Sequence, residues 1–84
     1  MPVLHRTAEE AFQAARDGSA HLYVVPEEAD RLEAMLLPPW RRMTFKAEPF
    51  NSLGDQAILF GHPGRAEAGR EALERAPWRR SGME

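Results

Sequence analysis

Eighty-four residues amount to one domain, because a 9.5 kDa chain is too short to divide into two independent cores. Apolar residues make up 43% and charged residues 29%, with 11 basic against 13 acidic groups and a net charge of -2. That balance excludes wholesale disorder and a cationic nucleic-acid coat, and the lack of cysteine excludes disulfides, thiolate metal sites and thiol nucleophiles.

The chain opens Met1-Pro2-Val3-Leu4-His5-Arg6 without the apolar stretch of a secretory leader, and no run approaches the roughly 18 apolar residues of a membrane span. The expectation is a soluble, cytoplasmic protein without membrane partners. Ten arginines against one lysine, thirteen alanines and only three Asn plus Gln resemble a GC-rich, thermophile-like composition. Residues 1–37 carry three basic and seven acidic groups, and residues 38–84 carry eight and six, an asymmetry too modest to name a partner.

The first predicted element is a helix over 7–17. Thr7 and Glu10 form a T-x-x-E capping box, Ala8, Ala11, Phe12 and Ala15 make one apolar stripe, and Gly18 stands at the left-handed C-terminal cap. Ala20-His21-Leu22-Tyr23-Val24-Val25 follows, with apolar side chains in both parities, the pattern of an interior strand covered on both faces. Pro26 opens a second helix with Glu27, Glu28 and Asp30 at its positive end and a stripe of Ala29, Leu32, Met35 and Leu36. Pro38-Pro39 stops it.

From Arg41 to Glu48 the period changes to two. Met43, Phe45 and Ala47 alternate with Arg42, Thr44, Lys46 and Glu48, predicting a half-exposed strand with Pro49 at a sheet edge. Asn51–Asp55 reads as a hairpin loop, and Gln56–Gly61 is again apolar on both parities, a second interior strand. Pro63 opens a last helix to about Ala76, where Pro77 ends it.

The tetrapeptide Pro-Trp-Arg-Arg occurs at 39–42 and again at 77–80, and over 33–42 against 71–80 six of ten positions are identical. Each half reads strand, proline, helix, proline, Trp-Arg-Arg, which suggests an internal repeat. The fold class expected is therefore α+β: a ferredoxin-like split βαβ arrangement, β-α-β-β-α with a short or absent fourth strand after Trp78, preceded by an extra N-terminal helix. In this reading 1–84 is a single domain, with the helix at 7–17, a first half over 20–50, a second over 55–80 and a tail at 81–84. Strands 20–25 and 56–61 lie side by side in the middle, and 41–48 lies at an edge. Helices on one face leave the other face open; either Phe12 and its alanines lie on that open face or on a sheet edge, or a second copy of the chain does.

The candidate sites are few. His21 and His62 fall at neighbouring ends of the two central strands, but no zinc ligand spacing accompanies them, so no metal and no cofactor is expected. Gly61-His62-Pro63-Gly64-Arg65 joins a strand to a helix start, which makes His21, His62, Gly64 and Arg65 candidates for holding a small anionic ligand; the segment lacks both phosphate-binding glycine motifs. Trp40, Arg41, Arg42, Trp78, Arg79 and Arg80 mix aromatics with cations, as an association surface or a weak single-stranded RNA groove does, although the signature of an RNA-recognition strand is missing from 56–61. Sequential carboxylates such as Glu9/Glu10 read as dipole charges, and no acid–base pair emerges, so no enzyme and no catalytic residue is expected. The leading expectation is a non-catalytic module that associates with its own copy as a homodimer; a regulatory domain for a small anion is the alternative, and RNA binding is the third reading.

Overall fold

The computed structural model describes residues 2–68. Trp78, Arg79, Arg80, the proposed fourth strand and the second copy of the repeated tetrapeptide lie outside the described residues. The architecture is α+β, a small mixed sheet with helices packed on it.

Strand β1 is Leu4–His5, helix α1 Ala8–Arg16 and strand β2 His21–Val24; a 3-10 turn at Pro26–Glu28 leads into helix α2, Ala29–Met35. Strand β3 is Arg41–Arg42, β4 Glu48–Pro49 and β5 Gln56–Gly61, after which the backbone is helical over 63–68. No helix among the described residues is long and apolar enough to cross a membrane.

The two apolar segments stand side by side: β2 and β5 are antiparallel, with Leu22 opposite Phe60 and Val24 opposite Ile58. Beyond β5 lie β3 and β4, both antiparallel to it. On the other side of β2 the neighbour is β1, running parallel to it with Leu4 opposite Tyr23. A split βαβ sheet gives that seat to a fourth, antiparallel strand. Here Leu4–His5 fills it, so α1 is not an appendage but the crossover of a parallel β-α-β unit.

The local chemistry of α1 agrees with its sequence in part. Thr7, extended at φ -134°, accepts from Glu10 N at 3.1 Å. The reciprocal half of the box is diverted, because the Glu10 carboxylate lies 3.0 Å from His5 Nδ1 and ties β1 to the helix. A second carboxylate, Glu28 from the 3-10 turn, accepts from Ala8 N at 2.9 Å, so another orphan amide of the first turn is satisfied from across the core. At the other end Gly18 takes φ 106°, and Ser19 N donates to Ala14 O at 3.1 Å, closing the helix as only a residue without Cβ does readily.

The core is a single layer between sheet and helices. Ala8, Ala11 and Ala15 of α1 and Ala29 and Leu32 of α2 close on Leu22, Val24, Ile58 and Phe60, all buried. Alanines on α1 let the helix approach the sheet and α2 closely, and the larger strand residues fill the layer. Phe12, the residue expected to anchor the α1 stripe, is only partly buried at the margin of this cluster.

The stretch 41–49 departs most from its pattern. Between Arg42 and Glu48 the chain advances six residues while its partner runs only three, from Phe60 to Ala57. Three residues are thus looped out. Thr44 is the cause: its Oγ1 accepts from Leu59 N at 2.9 Å and its carbonyl accepts from Arg42 Nε at 3.1 Å, replacing ladder bonds with side-chain ones. Phe45, assigned by alternation to the same side as Met43 and Ala47, ends 76% exposed.

Candidate functional site

Strand geometry sends alternate residues to opposite faces. In the central pair, Leu22, Val24, Ile58 and Phe60 go to the helices. Tyr23, Ala57, Leu59 and Gly61 go to the other side, with Leu4 in the same row as Tyr23. This second face carries a cleft of about 340 Å³ lined by Pro2, Tyr23, Thr44, Glu48, Phe50 and Leu59 among others, none of them helical. The Phe50 ring tilts against Tyr23 with centroids 5.4 Å apart. Outside this cleft Met43 lies on Gly61, where an added Cβ would come within 2.5 Å of its sulfur.

Among the described residues both edges of this face are short. β1 has two residues, and the opposite edge is two two-residue pieces separated by the excursion, the second containing Pro49. Short, interrupted edges with proline resist strand addition. Charge sits at the two ends of the face: Arg41 is opposite Gly61, and Glu48 is opposite Ala57. Both are exposed, and among the described residues neither takes part in an ion pair.

The sequence-derived residues divide into two groups. His21 and His62 both border one depression of about 190 Å³ that also involves Arg41, Met43 and Pro63, but the His62 ring is engaged with its own turn and with Trp40. The backbone link is His62 N to Ala20 O at 2.9 Å. His62 Nδ1 accepts from Arg65 N at 3.1 Å, and its ring meets Trp40 edge-on at 5.2 Å. Arg65 turns its guanidinium back to Ala15 O and Ser19 O, where it caps the C-terminal carbonyls of α1, and lies 5.5 Å from the Trp40 ring. A Cβ added at Gly64 would meet the His62 ring at 3.4 Å. The strand-to-helix turn is thus occupied by its own side chains.

Arg41 and Arg42 part company. Arg42 goes to the helix side, donating to Asp30 at 2.9 Å and approaching Glu33 at 3.4 Å, while Arg41 points to the open face. Trp40 is half-buried against the core cluster, so it does not stand with the arginines as an exposed stacking platform. No group of three or more metal-ligating side chains gathers among the described residues.

Other charges hold surface elements together. Glu9 is pushed below the usual carboxylate range by its own backbone N–H and then by Arg31, whose guanidinium is raised in turn by Glu9. Asp55 is lowered by the Asn51 amide and secondarily by Arg6, within a loop where Asn51 Oδ1 also accepts from Leu53 N and Asp55 N.

Tyr23, Phe50, Leu59, Leu4 and Met43 were not singled out as site residues by sequence reasoning. The available signal was the doubled apolar parity of 20–25 and 56–61, which demands cover on both faces. No protein family, curated protein or solved structure matches the chain.

Proposed function

We propose that this chain is a non-catalytic α+β module that works by associating with its own copy through the face bearing Tyr23, Leu59 and Phe50. One observation carries the reading. The central strands are apolar toward both sides, yet α1 and α2 lie together on one side, and the cleft on the other has no helical wall among the described residues. The alternative cover considered from sequence, α1 itself, is spent: Ala8, Ala11 and Ala15 are buried in the opposite layer. We read the sheet as a ferredoxin-like order in which the N-terminal strand takes the fourth position. Its blunted edges favour association by the face over strand addition at an edge.

The test is sedimentation velocity from low to high micromolar concentration, on the wild type and on Leu59→Lys. The reading expects a dimer that Leu59→Lys turns into a folded monomer, since a charge in the middle of an apolar interface is left without solvent or partner. A wild type that stays monomeric throughout contradicts it.

A further inference from the structure

The face opposite the helices is self-complementary about its middle row. Tyr23 is opposite Leu59, and Leu4 is opposite Tyr23, so Leu4, Tyr23 and Leu59 form one apolar row across three strands. Two residues along β5 in one direction is Gly61, where Arg41 stands opposite and His21 shares the row. Two residues in the other direction is Ala57, where Glu48 stands opposite. Cation and carboxylate therefore flank the apolar row at equal separations of about 6–7 Å along the strand.

We propose that two copies stack face to face about a two-fold axis that runs across the strands along the Leu4–Tyr23–Leu59 row, setting Arg41 of each copy against Glu48 of the other. This rests on the association reading above and adds its geometry. Rotation about an axis in the sheet plane and across the strands keeps each strand over its own copy and reverses its direction. The +2 row of one sheet then faces the -2 row of the other, and the apolar row faces itself. An isologous interface requires such self-complementarity, residue i on j and j on i. Sheets stacked about 10 Å apart leave room for an arginine and a glutamate at the rim to meet. An axis along the strands would instead carry Arg41 away toward the β1 edge and leave Glu48 unmatched.

Charge reversal tests it, read by sedimentation equilibrium. Arg41→Glu places two pairs of carboxylates together in each dimer, and Glu48→Arg places two pairs of guanidinium groups together; each variant alone should dissociate at least about tenfold more readily than the wild type. An equimolar mixture of the two single variants should recover a dimer, because every Glu then faces an Arg, and the double variant should recover its own homodimer. Both positions are exposed, and rescue in the mixture also shows that each variant is folded. A wild-type dimer unaffected by the single changes, or singles that the mixture does not rescue, overturns this pairing while leaving association by another geometry standing. A monomeric wild type removes both.

Discussion

Leu22, Val24, Ile58 and Phe60 point to one side of the central strands and are sealed beneath two helices, whereas Tyr23 and Leu59, with buried Ala57 beside them, point to the other side and line a cleft that has no helical wall among the described residues. The two sets are interleaved on the same two strands and are almost equally apolar, so hydrophobicity alone does not decide which is covered within the chain. The difference lies in what surrounds them. On the covered side three alanines let α1 settle onto the sheet; on the open side the rim is a phenylalanine, a methionine and two opposite charges. The first set secures a fold and the second offers a surface, and each can be perturbed separately.

The largest effect should come from the covered side. Phe60→Ala should cost about 3–5 kcal/mol, the usual range for emptying a large buried site, with a loss in urea unfolding that is the same at every protein concentration. Leu59→Ala, one residue away, should behave differently: a small loss at low concentration that grows with concentration, because stability linked to association depends on mass action. Equal and concentration-independent losses at the two positions would erase the distinction between the faces.

A smaller effect is expected at Arg65. Its guanidinium bonds Ala15 O in the last turn of α1 and Ser19 O just beyond it, so Arg65→Met should destabilise by roughly 1.5–3 kcal/mol, as for a hydrogen bond made by a charged group, without changing any response to phosphate in a thermal-shift assay. A phosphate-dependent rise in Tm that Arg65→Met abolishes would favour the anion reading instead.

The smallest effects should be electrostatic and lie on neither face. Glu9 and Asp55 are both held below their ordinary range, by a backbone amide and Arg31 in one case and by Asn51 and Arg6 in the other. A carboxyl lowered in the folded state stabilises above its unfolded value, and that contribution is lost as pH falls through the folded one. The urea midpoint should therefore be level near neutrality and fall on the acid side of the carboxylate range. Glu9→Gln and Asp55→Asn should each make that fall shallower. Variants that leave the acid limb unchanged would show that these contacts do not contribute in solution.

Much of this was legible in the residues. Capping at Thr7, the Gly18 stop, the turn at Asn51 and the pairing of 20–25 with 56–61 all follow from local chemistry and strand parity, signals that need no partner to be read. Leu4–His5 was not legible, because two residues have no period and their strand exists only where β2 offers an edge. The excursion at 43–47 escaped because alternation is blind to a threonine hydroxyl that captures a backbone amide, as Thr44 does with Leu59. The doubled parity of 20–25 and 56–61 marks both as central strands, but parity alone does not say which face the helices take; among the described residues α1 and α2 pack on Leu22, Val24, Ile58 and Phe60 and leave Tyr23 and Leu59 on the other side. His62 and Arg65 were read from sequence as candidates for holding an anion, with no sign of their engagement with Ala15, Ser19 and Trp40, which depends on where α1 ends in space.

The chain has no cysteine, so a single introduced thiol reports on one place. Leu59→Cys, treated with a bis-maleimide whose arm spans about 10 Å, the spacing of stacked sheets, should give a crosslinked dimer. Leu53→Cys, 87% exposed in the hairpin loop, should give little at the same concentration. Crosslinking confined to Leu59→Cys is the predicted result; no dimer from Leu59→Cys, or equal yields from both variants, would contradict a meeting of two copies across the open face.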